Sequence, residues 1–371
     1  MGATVGVEEE FLLVDAGTRR TTPRARAVLS RVRGRALPPG GQAHGEMLTS
    51  QLEFASGVCG DLAELREQLT AGRAALAEAA AAEGARLVSS GTPVLGGAAP
   101  ISPGERFDLI TDLYREQVTD YQCCGCHVHV GVPDRDTAVA VVNHLRPWLP
   151  TLLALSVNSP FEHGRDTGYG SWRMMHQARF PGSGVTPRFT SAADHDERVA
   201  RLVDCGVLAD ASMTFWLARP SPRYPTVEVR AADAAATVDE AVLQAGLTRA
   251  LVETALADLA EGREAGDFDE QVLAAAVWSA ARYGLDGPAV DPWRGVRVPA
   301  TDLVRALLDH VAPVLDPALR APALVGGEGA RRQRRAAAAD GPAAAVDALA
   351  AAFLGADVIT PTGRAHRGTS G

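Results

Sequence analysis

Three short stretches of this chain share one pattern, and it limits the possible folds more than any other feature. Gly6–Phe11 reads Gly-Val-Glu-Glu-Glu-Phe, Cys126–Gly131 reads Cys-His-Val-His-Val-Gly, and Thr226–Arg230 reads Thr-Val-Glu-Val-Arg. Each sets polar side chains at positions i and i+2 among apolar or β-branched residues, and in a strand those positions share a face. Glu8 with Glu10, His127 with His129, and Glu228 with Arg230 therefore present their heads from one side of a sheet. Val7, Phe11, Val128, Val130, Val227 and Val229 fill the other side. Carboxylates and imidazoles gathered on one face repel one another or go undersolvated unless a cation joins them. A divalent metal is the simplest such cation.

A chain of 371 residues with an ordinary apolar fraction can bury one large core or two smaller ones. A net charge of −9 argues against a nucleic-acid partner. The N-terminus lacks the basic region of a secretory leader, and no apolar run reaches bilayer-spanning length. The expectation is a cytoplasmic protein without a membrane partner. Five cysteines, three of them at Cys123, Cys124 and Cys126, do not read as a disulfide framework. All 36 basic residues are arginine, and the chain has no lysine. That excludes P-loop phosphate binding, Schiff-base chemistry and carbamylated-lysine metal sites. Any phosphate has to be met by arginine or by metal.

Along the chain, residues 4–14 read as a strand and 23–33 as a short helix. A second acidic strand follows over 44–55, with Glu46 and Glu53 near its ends. Helical spacing of Leu62, Leu65, Leu69 and Leu76 predicts a helix from Asp61 to about Ala82. Residues 86–90 read as a strand, 105–119 as a helix and 124–132 as the His-x-His strand. Asp136 caps a helix to about 145, and another covers 149–157. The polar, glycine-rich segment 158–192 is long enough to be functional or mobile. A helix over 195–208 precedes strands at 212–218 and 224–231. Alanine- and leucine-rich helices at 237–262, 270–283, 300–315 and 342–354 are expected to cover the sheet. With no internal repeat or clean linker, residues 1–360 read as one domain, and 361–371 as a disordered tail.

Taken singly, the motifs have plainer readings: a charged edge strand, hydrogen-bonded core histidines, a cross-strand ion pair. Their joint occurrence shifts the weight, because several strands each offer hard oxygen or imidazole ligands. A carboxylate-rich set with few nitrogens suits Mg²⁺ or Mn²⁺ better than Zn²⁺. Cys123–His127 matches the C-x-x-C-H haem-attachment pattern, but such attachment needs export and no export signal is present. Zinc on Cys126 with His127 is disfavoured because strand neighbours point to opposite faces. The competing readings are a metal-dependent hydrolase built on His127 and His129, a non-catalytic binding protein, and a phosphotransferase.

Together the stretches resemble the glutamate–cysteine ligase type 2 family, the YbdK-type carboxylate–amine ligases. The resemblance rests on Gly6–Phe11, Glu46 with Gln51-Leu52-Glu53, Cys124–Val132, Ser156–Phe161, Asp166–Tyr169, Ser171-x-Arg173 and Thr226–Arg230, in the family's order. It implies an α+β, glutamine-synthetase-like fold, in which a curved, mostly antiparallel sheet forms an open funnel with helices packed outside. It also implies an ATP-dependent ligase that makes an acyl phosphate and lets an amine displace phosphate to form an amide. The partners it implies are a small carboxylate such as L-glutamate, an amine such as L-cysteine, and a second copy of the chain in a homodimer. Carried over by residue, Glu8, Glu10, Glu46, Glu53, His127 and Glu228 would ligate Mg²⁺ or Mn²⁺. Arg230 and Arg173 would hold the γ-phosphate of ATP, His129 would touch substrate or nucleotide, and Arg331–Arg335 would either close over the nucleotide or form a solvated helix end. Two positions depart from the pattern: Glu162 follows Ser-Pro-Phe, and Gln177 lies four residues after the loop arginine, each where an aromatic residue is usual. Both fall in the loop expected to line a substrate pocket, so the substrates stay open.

Overall fold

The computed structural model describes residues 2–33, 35–319 and 328–355. Seven strands form one antiparallel sheet. In chain order they are β1 (Val5–Asp15), β2 (Gln42–Gly45), β3 (Gln51–Ala55), β4 (Ala85–Val88), β5 (Gly125–Gly131), β6 (Ala218–Pro220) and β7 (Thr226–Asp233). Across the sheet the order is β6-β7-β5-β1-β3-β2, and β4 pairs with the end of β1 that β5 leaves free.

The register turns sequence alternation into a site. Glu8 lies opposite His127, and Glu10 opposite Glu53. On the next strands His129 lies opposite Glu228, which in turn lies opposite Arg219. Between Val229 and Ala232 the β5–β7 pairing slips by a bulge, a device that re-aims side chains locally. The acidic stretch expected as one strand over 44–55 is two strands of a hairpin, β2 and β3, with Glu46 in the turn. Folding the segment back brings Glu46 beside Glu53, which a single extended strand would have held apart.

The opposite face of the sheet packs on helices Leu62–Ala81 and Val238–Ala260. Phe11, Leu13, Val128, Val130, Val227 and Val229 are buried in one core cluster with residues of those helices. Glu9, the middle member of the glutamate run, points into this core. Arg73 grips its carboxylate from Nε at 3.0 Å and Nη2 at 2.5 Å, and also donates to the carbonyls of Ala235 and Ala236. A buried ion pair persists only when its remaining donors are satisfied, as they are here.

Several expectations shift. Asp134, not Asp136, caps helix Arg135–Leu145, accepting from the Thr137 N–H at 2.8 Å; Asp136 accepts from Ala192 N–H instead. The helix over 105–119 breaks at Arg115, whose φ is 50°. Segment 158–192 is ordered: it holds helix Trp172–Gln177 and a Ser183–Gly184 strand paired with Phe215–Trp216. Pro288–Asp291 and Val296–Pro299 form a hairpin that the alanine-rich pattern hid. Helices Glu270–Tyr283 and Ala300–Val311 do not lie on the sheet; both pack on Leu149–Ser156. The last helix, Glu328–Phe353, is two segments joined at Asp340 and Gly341. Its Gly329–Phe353 portion has the length and hydropathy of a bilayer span, yet it buries Gln333, Leu349 and Phe353 in the fold. The expected tail at 361–371 lies outside the described residues.

Candidate active site

The polar face of the sheet carries two compact trios. Glu8, His129 and Glu228 form one, and Glu10, Glu46 and Glu53 the other; in each, three candidate ligand atoms lie within 4.8 Å of one another. They line a funnel of about 1510 Å³ together with His127, Arg219 and Arg230. The sequence reading gave metal ligation to His127 and substrate contact to His129. The geometry sets both beside Glu8: His129 Nε2 lies 3.3 Å from it and completes the first trio, with its Nδ1 set 2.9 Å from Thr226 Oγ1. His127 sits between the trios, with Nδ1 3.5 Å from Glu8 and Nε2 3.9 Å from Glu10.

The two trios differ in charge balance. Burial would raise the Glu8 carboxyl, but the neighbouring imidazoles of His127 and His129 outweigh it and hold the group well below its ordinary value. Burial likewise opposes ionisation of Glu228, and Arg230 and Arg219 overcome it. Arg219 forks onto Glu228 at 2.8 and 3.1 Å, and Arg230 pairs with the same carboxylate. In the second trio Arg173 and Arg230 ease the carboxyls without overcoming burial. Burial and the Glu46 charge push Glu10 up to about 7. Burial raises Glu46 too, and burial with the Glu46 charge raises Glu53 far above its usual range. Three half-buried carboxylates crowded together, with arginines that do not neutralise them, are the chemistry a hard divalent ion satisfies, so these residues fit Mg²⁺ or Mn²⁺.

Two arginines border the acidic trio. Arg230 Nη1 lies 3.3 Å from His127 Nδ1, and burial with the Arg230 charge lowers His127 to about 4, leaving the imidazole neutral at pH 7. Arg173 is fully buried on helix Trp172–Gln177, and its Nη2 donates to the Arg230 carbonyl at 3.2 Å. Its Nε and Nη1, and Nε of Arg230, have no hydrogen-bond partner among the described residues. Buried donors of this kind are costly unless something anionic meets them. Asp233 positions Arg173: it lies 3.7 Å from Nη1, and it accepts from Ser171 Oγ, Ser159 Oγ and Asn158 N–H at 2.7–2.8 Å. Gly125 completes the packing. A Cβ there would lie 2.5 Å from Arg173 Nη2 and 2.8 Å from His127 Nε2, while its N–H donates to Glu10.

Sequence reasoning missed Arg219 and Asp233. Arg219 needed the β6–β7 pairing, and Asp233 falls in phase with the site only because of the bulge after Val229. Cys123, Cys124 and Cys126 are buried, and burial pushes each thiol well above its ordinary value, so none supplies a thiolate. The arginine run lies outside the funnel lining: Arg331 pairs with Asp286, Arg332 with Glu240 and Arg334 with Asp166.

The fold recurs in ligases. A bifunctional glutathione synthetase from Pasteurella multocida superposes with a TM-score of 0.67 at 14% identity, over 95% of this chain and 52% of that longer one. A glutamate–cysteine ligase from Francisella tularensis, solved with AMP, matches with a TM-score of 0.65 at 12% identity, over 96% of this chain and 90% of its own. The sheet and helices are thus the glutamine-synthetase-like α+β architecture. At the sequence level, the model of glutamate–cysteine ligase family 2 matches residues 4–344. A Saccharopolyspora erythraea protein provisionally named glutamate–cysteine ligase 2-2 is 57% identical over 99% of this chain and 94% of its own. A Salinispora arenicola protein provisionally named glutamate–cysteine ligase 2 is 48% identical, over 84% and 82%. The chain belongs to glutamate–cysteine ligase family 2.

Proposed function

We propose that the protein is an ATP-dependent carboxylate–amine ligase. It would join a small carboxylate, L-glutamate first among candidates, to an amine such as L-cysteine through an acyl phosphate. One observation carries this reading: an uncompensated carboxylate trio stands beside a compensated one, next to buried guanidinium N–H groups without partners. That arrangement suits cations bridging phosphate oxygens and arginines that receive phosphoryl charge. ATP, when bound, would supply the phosphoryl group that turns a carboxylate oxygen into a leaving group, and Mg²⁺ would supply positive charge against its phosphates. Glu8, His129 and Glu228 would hold one cation, and Glu10, Glu46 and Glu53 another. Arg173 and Arg230 would stabilise the charge on the phosphoryl oxygens. With no lysine in the chain and with Cys123, Cys124 and Cys126 held as buried thiols, the site offers no amine or thiolate of its own for a covalent intermediate, so activation falls to the substrate carboxylate. We propose further that the enzyme works in the cytoplasm and, by family analogy alone, as a homodimer.

The test is ADP release with ATP and Mg²⁺ over a panel of acids, with and without amines, using Glu228→Ala as the blank. ADP formed only when a particular acid and amine are both present, and lost in the variant, supports the ligase and names its substrates. ADP with acid alone supports carboxylate activation without amide formation. No ADP under any combination overturns the reading.

A further inference from the structure

Behind the funnel lies a second space, a recess of about 150 Å³. Glu10, Glu46, His127 and Arg230, with Arg106, Phe107 and Ser212, line both and form their common rim. Arg173, Gln177, Tyr121 and Cys123 line the recess but not the funnel, so they form its interior. Phe180 and Phe215 wall it with apolar surface. An acid whose reacting carboxylate sits at the rim, between the trios and Arg230, would extend its other end inside.

What waits inside is specific. Gln177 is 4% exposed, and its Oε1 has no hydrogen-bond partner among the described residues. Tyr121 lines the same recess beside it. Tyr121 is itself fixed by edge-on packing on Phe180 at 5.0 Å and Phe215 at 6.0 Å. On its remaining side the ring meets His176 at 6.5 Å, and His176 Nε2 lies 2.5 Å from Glu162 Oε1. The two positions that depart from the family pattern therefore belong to one cluster: Glu162 secures His176 behind Tyr121, and Gln177 presents its open carbonyl to the recess. An unpaired buried amide oxygen favours a ligand that brings an N–H or O–H to it, and disfavours one that brings a methylene.

We propose that Gln177 is a specificity-determining residue, whose Oε1 accepts a hydrogen bond from the ammonium group of the acid substrate. The proposal rests on the ligase reading for which end of the acid reacts, but the recognition it describes is a binding event that needs no ATP.

The experiment is therefore calorimetric titration of the full chain without nucleotide, in Mg²⁺, with two matched pairs: L-glutamate against glutarate, and L-aspartate against succinate. Each pair differs only in the ammonium group. The wild type should prefer the amino member of at least one pair by tenfold or more. Gln177→Leu should erase that preference by weakening the amino acid and leaving its desamino partner within about twofold. Gln177→Glu, which keeps an acceptor at the same place, should retain or increase it. Circular dichroism melts confirm that each variant is folded; if Gln177→Leu is not, Gln177→Met replaces it. Preference unchanged in the apolar variant, equal loss in Gln177→Glu, or no binding of either amino acid overturns the proposal. Because turnover is not measured, a protein that binds and discriminates yet releases no ADP would refute the ligase reading and leave the assignment of Gln177 standing.

Discussion

The two carboxylate trios sit side by side on one sheet face and are opposites in electrostatic design. Glu8–His129–Glu228 is closed on itself: two imidazoles and two arginines hold its carboxylates ionised. Glu10–Glu46–Glu53 is open: burial and mutual repulsion raise all three carboxyls, and only a guest cation would let them ionise together. A cation thus enters a preformed, charge-balanced cradle in one case. In the other it creates the balance. The first trio should matter for folding as well as chemistry, and the second mainly for chemistry.

The sharpest way to break the comparison is to remove one carboxylate from the closed trio. Glu228→Ala leaves Arg219 and Arg230 buried without their shared partner. It should cost about 3–5 kcal/mol in denaturant unfolding and abolish turnover. Glu53→Gln, in the open trio, should abolish turnover without that stability loss, because it removes a repelling charge. Equal destabilisation by the two variants would erase the distinction.

The trios should also respond to pH with opposite signs. Glu10 is raised from 4.5 to about 7, so the metal-free folded state binds more protons than the unfolded state in that window. Stability should therefore fall as pH rises from about 4.5 through 7, by something on the order of 3 kcal/mol for this group. Glu8 and Glu228 are depressed, so their contribution is present above 4.5 and lost as pH falls below it. Melting temperatures without metal should peak in weak acid, and Mg²⁺ should raise them more at pH 8 than at pH 5. A pH-independent Mg²⁺ effect would count against the open trio as its site.

Gly125→Ala probes the seam where the open trio meets Arg173. The new methyl group must displace Arg173 or His127, and a shift of about 1 Å in such groups costs roughly 100-fold in turnover. The smallest effect is expected at Arg334→Ala. Its half-exposed pair with Asp166 is worth at most about 1 kcal/mol, and steady-state KM for ATP should not change. A large rise in that KM would return the arginine run to the nucleotide site.

Sequence alone was enough to mark Glu8, Glu10, His127, His129, Glu228 and Arg230 as one face. Strand alternation is local, and apolar partners on the other face hold its phase. The same local rules drew helices 61–82, 237–262 and 270–283 within a few residues. They failed where the chain breaks period. The hairpin that returns Glu46 to Glu53, the bulge that admits Asp233 and the grouping of His129 with Glu8 and Glu228 all depend on which strand lies alongside. Periodicity within a strand says which side chains share a face. Only pairing between strands sets their distances, and metal binding, carboxylate repulsion and the buried arginine donors are all decided by distance.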